Sequence, residues 1–517
     1  MPLQTMLPIA IKMVLSLWSF SIAPAVVART LVTINSANPA ALPYERLITP
    51  MTQKFNLTSD LYDYQAVDAT KMLSAGNWLN FSEMGTGKTP EALAVVEMGN
   101  FLCPLIVCPS SLRFEWTRQI DDWTGQKAAL PNSNTYTRLE PLVRSFLEGV
   151  KYKIINYEVL RSDDNLEVLN QIPFDVLIFD EVHKLRNPKT QVVKGAWKFL
   201  DAHPTAKVIA MSGSPIMNYP NDLYVPLSLV QVDKYPRTHR DWLRFSQHYC
   251  LWTSGQHGRY IYGVRYMDYL KKETEPFSIR RTKKEVLPFL PDKYYRRVIL
   301  EMDKDQRDLY TQMETELLIL LDSGESLWSP DARSKITRLR QLNLDPKILG
   351  VSASSAKTDF LVDLVESTNE KVVIFSCFER YIYLLSLLLQ QYNPVVISGT
   401  ISPQDRQLAV SKFQEQDDVR ICLGTIQSMG EGVTLTAASN VVLVDRWWNE
   451  PTNQQAVDRL HRIGQKNAVQ VIYPVCEDSV DTLLDEILAR KSGALHRFLD
   501  ETQVTNAIVE EIRRRHA

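Results

Sequence analysis

The clearest chemistry in this chain lies in one short run, Glu83-Met84-Gly85-Thr86-Gly87-Lys88-Thr89. Glycines at 85 and 87 let the backbone turn tightly and aim successive N–H groups at phosphate oxygens. Lys88 supplies a positive charge for the β- and γ-phosphates of a nucleotide, and the Thr89 hydroxyl is placed to ligate Mg²⁺. The stretch from Pro90 to Met98 reads as a helix whose N-terminus adds its dipole to the same site. One position departs from the usual loop: Ser82 stands six before Lys88, where glycine is the rule. A short glycine–lysine signature recurs by chance, so its weight depends on partners.

A partner follows at a sensible distance. Phe174 to Phe179 is an apolar run with the look of a buried parallel strand, and it ends in Asp180-Glu181-Val182-His183. Open α/β sheets place their ligand sites at the carboxyl ends of such strands. Asp180 would hold Mg²⁺, and Glu181 would orient and deprotonate an attacking water. The bland alternative is a pair of solvated acids at a strand end, and the phosphate loop upstream argues against it.

The elements that must carry these groups show as apolar runs between polar helical stretches. They are Leu105–Cys108, Lys153–Ile155, Val176–Phe179 and Val208–Met211, then Val372–Phe375, Val395–Ile397, Ile421–Leu423, Val441–Val444 and Val469–Ile472. Strands alternating with helices predict an α/β fold with parallel sheets covered on both faces. The two clusters, parted near residue 290, predict two such domains. Between them Lys293–Leu344 reads as mainly helical, with Gln306, Tyr310, Met313, Leu317 and Leu320 at core-like spacing. Pro288, Pro291 and the charged run from Arg280 to Glu285 mark the crossover. The expected division is an apolar extension over 1–50, an ATP-binding lobe over 51–285, a helical linker or insertion over 286–350, a C-terminal lobe over 351–490, and a C-terminal helix over 491–517. In that last helix Arg513-Arg514-Arg515 reads as a solvated end, where cations suit the dipole.

Composition sets the class without choosing the function. A chain of 517 residues, 45% hydrophobic and 23% charged, holds several folded domains and excludes wholesale disorder. The formal net charge is -2, so a nucleic-acid site requires basic groups gathered locally. Cys103, Cys108, Cys250, Cys377, Cys422 and Cys476 lack zinc-ligand spacing and read as small core residues in a reducing, cytoplasmic compartment. From Leu7 to Ala28 the chain is apolar apart from Lys12, like a signal-peptide core or a short membrane span. Three readings stand: an anchor, a helix packed on the body, or an upstream extension read from the wrong start, with Met51 opening the working protein. The last fits best, since an ATP-driven machine belongs where ATP is.

Taken together, the motifs resemble those of the Swi/Snf-like ATPases of helicase superfamily two, in the family's order, from about Leu61 to Leu484. Leu61-Tyr62-Asp63-Tyr64-Gln65 is similar to the opening adenine motif, and Glu83–Thr89 to D-E-M-G-L-G-K-T, with Ser82 where Asp is usual. Ile106-Val107-Cys108-Pro109-Ser110-Ser111-Leu112 and Trp116 resemble the first nucleic-acid-contacting motif. Asp180–Lys189 is close to D-E-A-H-R-L-K-N, with Val182 for Ala, and Met211–Asn218 resembles the coupling motif L-T-G-T-P-I-Q-N. In the second half, Lys371–Ser376, Ser398-Gly399-Thr400 with Arg406, and Gly430–Ala438 resemble the family's later segments. Gln455-Ala456-Val457-Asp458-Arg459-Leu460-His461-Arg462-Ile463-Gly464-Gln465 is nearly Q-A-x-x-R-x-H-R-I-G-Q, the most specific of them.

The resemblance implies two RecA-like lobes, ATP with Mg²⁺ as cofactors, and motion along DNA, duplex before single strand, with little base specificity. It implies ATP contacts at Gln65, Met84, Gly85, Thr86, Gly87, Lys88, Thr89 and Gly432, metal ligands at Thr89 and Asp180, and catalysis by Lys88, Asp180, Glu181, Arg459 and Arg462. His183, Ser212, Gly213 and Ser214 would couple the lobes. Ser110, Arg113, Asn187, Lys189, Thr400, Thr425, Gln427, Trp448 and Asn449 would form the nucleic-acid track, while Trp447 goes to the core. The expected function is an ATP-driven duplex translocase that displaces bound protein in replication, repair or transcription, in a bacterial or viral setting. The alternatives are a strand-separating helicase, which a wedge hairpin would favour, and a non-hydrolysing scaffold, against which the intact motifs argue.

Overall fold

The structure is a computed structural model that describes residues 57–131, 139–217, 219–255, 258–322, 330–429, 433–490 and 508–514. The expectations for residues 1–50, for Gly432 and for 491–507 lie outside the described residues. In chain order the first half contributes β1 (Trp78–Asn80), β2 (Pro104–Cys108), β3 (Ala128–Ala129), β4 (Tyr152–Asn156), β5 (Val176–Asp180) and β6 (Lys207–Met211). A hairpin of β7 (Cys250–Gly255) and β8 (Gly258–Val264) follows, then the short β9 (Ser278–Ile279). The second half holds β10 (Lys293–Leu300), β11 (Val372–Ser376), β12 (Val395–Ile397), β13 (Ile421–Thr425), β14 (Asn440–Leu443) and β15 (Val469–Cys476).

These strands form two sheets, ordered β3-β4-β2-β5-β6-β1-β9 and β10-β15-β14-β11-β13-β12, and every pairing within them is parallel. Strands β2, β4, β11 and β13 are buried along their whole length. That is why their sequences are mainly apolar without alternation: helices cover both faces, and a polar group such as Lys153 is held there by hydrogen bonds to backbone carbonyls. Most of the described helices lie between strands, and none is long and apolar enough to cross a membrane.

One expectation needs correction. Residues 293–300 are a strand rather than the start of a helix. All eight pair in parallel with β15, from Lys293 opposite Val469 to Leu300 opposite Cys476. As an edge strand, β10 keeps Tyr294, Tyr295 and Ile299 about half exposed, so no buried face announces it. The helices Lys304–Asp322 and Pro330–Leu344 that follow pack on the second lobe: Tyr310, Leu317, Ile336 and Leu339 join Cys476, Val480 and Leu483 in one core. Gln306 is fully buried there, its amide donating to the Leu342 carbonyl at 3.0 Å while its oxygen accepts from Ala356 N–H at 3.1 Å. The helix at 508–514 adds Ile508, Val509 and Ile512 to the same core. Within that helix Arg514 is exposed and paired with Glu511. All six cysteines are free thiols, five of them buried.

Candidate nucleotide site and nucleic-acid track

Strands β5, β6 and β1 are neighbours, and the candidate groups leave from their carboxyl ends. The loop after β1 carries the phosphate-binding run. Gly85 and Gly87 have φ of 80° and 87°, a left-handed backbone that suits glycine. A Cβ on Gly87 would lie 2.0 Å from the Gln65 amide nitrogen, and one on Gly85 only 2.7 Å from Arg462 Cβ. Both glycines are therefore required by close approach as well as by φ. The helix Lys88–Met98 starts directly after the loop. Lys88 Nζ donates to the carbonyls of Ser82 and Glu83 at 2.8 and 3.0 Å, and burial lowers its pKa against the pull of Glu181 and Asp180.

The opening motif braces this loop. The Gln65 amide donates to the Thr86 carbonyl at 3.1 Å and accepts from Tyr62 N–H at 3.0 Å, while Tyr64 OH donates to the same carbonyl at 2.6 Å. The unusual Ser82 also has a role. Its hydroxyl accepts from Arg281 N–H at 3.2 Å, so the side chain ties the loop to the segment after β9.

The β5 end presents Asp180 and Glu181. Glu181 takes a left-handed backbone (φ 50°, ψ 48°), a strained conformation of the kind that collects at functional sites. Its carboxylate lies 3.2 Å from His183 Nδ1 and accepts from the Ser212 hydroxyl at 3.4 Å. Burial pushes the Glu181 pKa up, but the His183 hydrogen bond and the charges of His183, Lys88 and Arg459 outweigh it and hold the group well below the usual carboxylate range. Asp180 is pushed up to about 6 by burial and by the Glu181 charge, against hydrogen bonds that favour its anion. One of those bonds was not foreseen: Trp116 Nε1, in the buried side of helix Arg113–Thr124, donates to Asp180 Oδ2 at 2.8 Å. The Asp180 carboxylate and the Thr89 hydroxyl are hard oxygen donors, the kind Mg²⁺ takes alongside phosphate oxygens and water.

The coupling residues form a chain of contacts. His183 Nδ1 lies 2.9 Å from Ser212 Oγ, which accepts from Ser214 N–H at 3.1 Å. The Gln455 amide of the second lobe then donates to Ser214 Oγ at 3.0 Å. Gly213 permits Met84 to sit close, since a Cβ there would come within 2.3 Å of Met84 Cγ.

Across the cleft, Arg459 is 3% exposed and its charge reaches Glu181. Arg462 lies against Gly85 and donates to Asp458 O at 3.2 Å and Thr434 Oγ1 at 2.9 Å. Burial and the neighbouring Arg459 push its pKa down to about 9, against the charges of Asp458, Glu115 and Glu181. Gln465 holds this turn, donating to the Ala438 carbonyl at 2.8 Å.

The expected nucleic-acid residues also follow strand ends: Ser110 after β2, Asn187 and Lys189 after β5, Thr400 after β12, Gln427 after β13 and Asn449 after β14. Three others are buried. Trp448 is 5% exposed and sits in the second lobe's core beneath the Arg340 guanidinium, 4.3 Å from the ring centroid. Thr425 is buried and shares a 2.6 Å hydrogen bond with Ser428. Arg113 is buried at the start of its helix, with Nε donating to the Ser110 carbonyl at 3.3 Å. Each is enclosed by its own lobe. Trp447, assigned to the core, is half-buried between two core clusters. Asn449 caps the helix Glu450–Val457, accepting from Thr452 N–H at 3.0 Å.

Residues 68–348 match the SNF2-related domain, and residues 356–464 match the helicase conserved C-terminal domain. The chain is similar to the human DNA annealing helicase and endonuclease ZRANB3, 26% identical over 81% of this chain and 38% of that protein. It is also similar to the Xenopus laevis SWI/SNF-related matrix-associated actin-dependent regulator of chromatin subfamily A-like protein 1, 28% identical over 81% of this chain and 42% of that protein. Among solved structures, the Sulfolobus solfataricus SWI2/SNF2 ATPase core in complex with dsDNA is 24% identical, covering 90% of this chain and 98% of its own, with a TM-score of 0.39. This chain thus spans about two-fifths of the length of the curated relatives it matches. The first match alone takes in more than half of the residues, and the chain belongs to the SNF2-related family.

Proposed function

We propose that this chain is an ATP-hydrolysing motor that moves on duplex DNA and displaces proteins bound there. The observation that carries the reading is the cleft itself: Lys88 and Glu181 from one lobe face Arg459 and Arg462 from the other, with Arg462 packed on Gly85. Lys88 and the loop N–H groups would bind the β- and γ-phosphates, and Glu181, held ionised by His183, would take the proton of the attacking water. Arg459 and Arg462 would stabilise charge on the transferring phosphoryl group, so hydrolysis requires the lobes to be closed. Thr89 and Asp180 would hold Mg²⁺, which neutralises phosphate charge when bound. The path from Glu181 through His183, Ser212 and Ser214 to Gln455 gives that closure a mechanical link. Relatives whose names include helicase and chromatin regulator are in keeping with DNA as the track.

The test is ATP hydrolysis without nucleic acid and with duplex DNA, single-stranded DNA or RNA. Stimulation by duplex supports the reading, and no stimulation by any of them overturns it. Strand separation is the second reading, favoured by the antiparallel β7–β8 hairpin, which is joined to the residue just after the coupling motif through Tyr219 OH donating to the Ile261 carbonyl at 3.0 Å. Preference for single strands, with unwinding of a forked duplex, would put that reading first.

A further inference from the structure

Lys283 stands on the segment that leaves the first lobe after β9, and this segment is laced along the phosphate loop. The Phe81 N–H donates to the Ile279 carbonyl at 2.8 Å and the Glu83 N–H to the Arg281 carbonyl at 2.9 Å. Arg281 also grips the fully buried Asp68 with two hydrogen bonds of 2.9 and 2.7 Å. The Lys283 N–H itself donates to the Glu83 carboxylate at 2.9 Å. Its side chain reaches the other lobe. Nζ lies 2.8 Å from Asp458 Oδ1 and donates to the His461 carbonyl at 2.5 Å. Asp458 immediately precedes Arg459, and a Cβ on Gly85 would meet both Arg462 and the Lys283 Cε.

We propose that Lys283 is a positioning residue for ATP hydrolysis, a latch that seats the turn carrying Arg459 and Arg462 against the phosphate loop. The inference rests on the reading of those arginines as the transition-state cations. A nearly buried ion pair is strong only while its geometry holds, so it rewards the closed arrangement and little else. Asp458 has a second partner in its own lobe, Lys293 of β10 at 3.2 Å. When the lobes part, Asp458 keeps Lys293, Lys283 meets water, and no buried charge is stranded. The latch can therefore open once per cycle without a large penalty.

The test is DNA-stimulated hydrolysis by the full chain carrying K283M, K283R, D458N or K283M with D458N, alongside R462Q, with nucleotide affinity and thermal midpoint for each. K283M is expected to lower kcat about 30-fold while nucleotide Kd moves less than about threefold, the signature of an interaction made in the transition state. K283R should recover at least about a third of kcat, and the double variant should be no slower than K283M, because both changes break one contact. Thermal midpoints should stay within about 2 °C of the parent, which separates a latch from a fold defect. Unchanged kcat in K283M while R462Q is inactive overturns the latch alone, as does a loss that K283R leaves unrepaired. Full activity in R462Q overturns the arginine reading beneath it.

Discussion

The nucleotide cleft and the expected nucleic-acid track draw on the same strand ends, yet they hold their side chains in opposite ways. Cleft residues converge: Lys88, Glu181, His183 and Ser212 are each fixed by neighbours that are themselves fixed. Track residues are dispersed along both lobes, and those that remain exposed, such as Lys189 and Gln427, answer to water. A small charged ligand in a closed cleft needs preorganised groups, because their reorganisation would otherwise be spent during the reaction. A long polyanion needs only cations and donors in register, so each contact is weaker and more replaceable.

Substitution of Glu181 by Gln should break the cleft side most completely. The amide cannot accept the proton of water, so DNA-stimulated turnover should fall by about 10³-fold with nucleotide binding retained. Single-turnover hydrolysis and nucleotide titration check it together; residual turnover within tenfold of the parent would remove Glu181 as the base.

The next prediction concerns a residue on the wrong side of the comparison. Trp448→Ala should lower stability by about 3–5 kcal/mol, because it opens a cavity in the second lobe's core and removes the ring under Arg340. Denaturant unfolding reads the change. Intact stability with lost DNA affinity would return Trp448 to the track.

How far each region was legible follows from the range of its contacts. The phosphate loop, Asp180-Glu181 and Arg459–Gln465 could be read because phosphate chemistry demands particular residue types side by side. The parallel strands could be read because burial on both faces leaves continuous apolar runs. The contacts of Lys283 and Trp116 leave no local signal, although Trp116 belongs to a motif, since their partners Asp458 and Asp180 lie far along the chain. Strand β10 carries no strand signal of its own, because its partner β15 comes after the rest of the lobe and its side chains are largely exposed. Trp447 and Trp448 both turn toward the second lobe's core, Trp448 the deeper: adjacent aromatics after a strand carry no periodicity that says which one turns inward.

Trp116 sharpens the comparison, since it links the two regions. Its helix begins beside Ser110, an expected track residue, while its indole holds the candidate metal carboxylate. Trp116→Phe keeps most of the packing and deletes the donor. It should lower turnover about tenfold and raise the Mg²⁺ needed for half-maximal rate, because the freed Asp180 samples unproductive rotamers. A magnesium titration of the ATPase checks this, and an unchanged requirement would mean that Asp180 is oriented by its other partners alone.

The smallest effect belongs to the track. Lys189 is exposed beyond β5, on the same loop as Asn187, whose side chain accepts the Lys189 N–H at 3.0 Å. That bond shapes the loop through the backbone and leaves the ammonium to water. Lys189→Ala should therefore weaken duplex binding only a few-fold and reduce the slope of log affinity against log salt by about 1, with no change in thermal midpoint. Affinity measured across a salt series separates this from a structural effect: a parallel displacement with the slope unchanged would place Lys189 off the phosphate backbone. A loss as large as that of a cleft variant would show instead that the track, like the cleft, relies on a few preorganised groups.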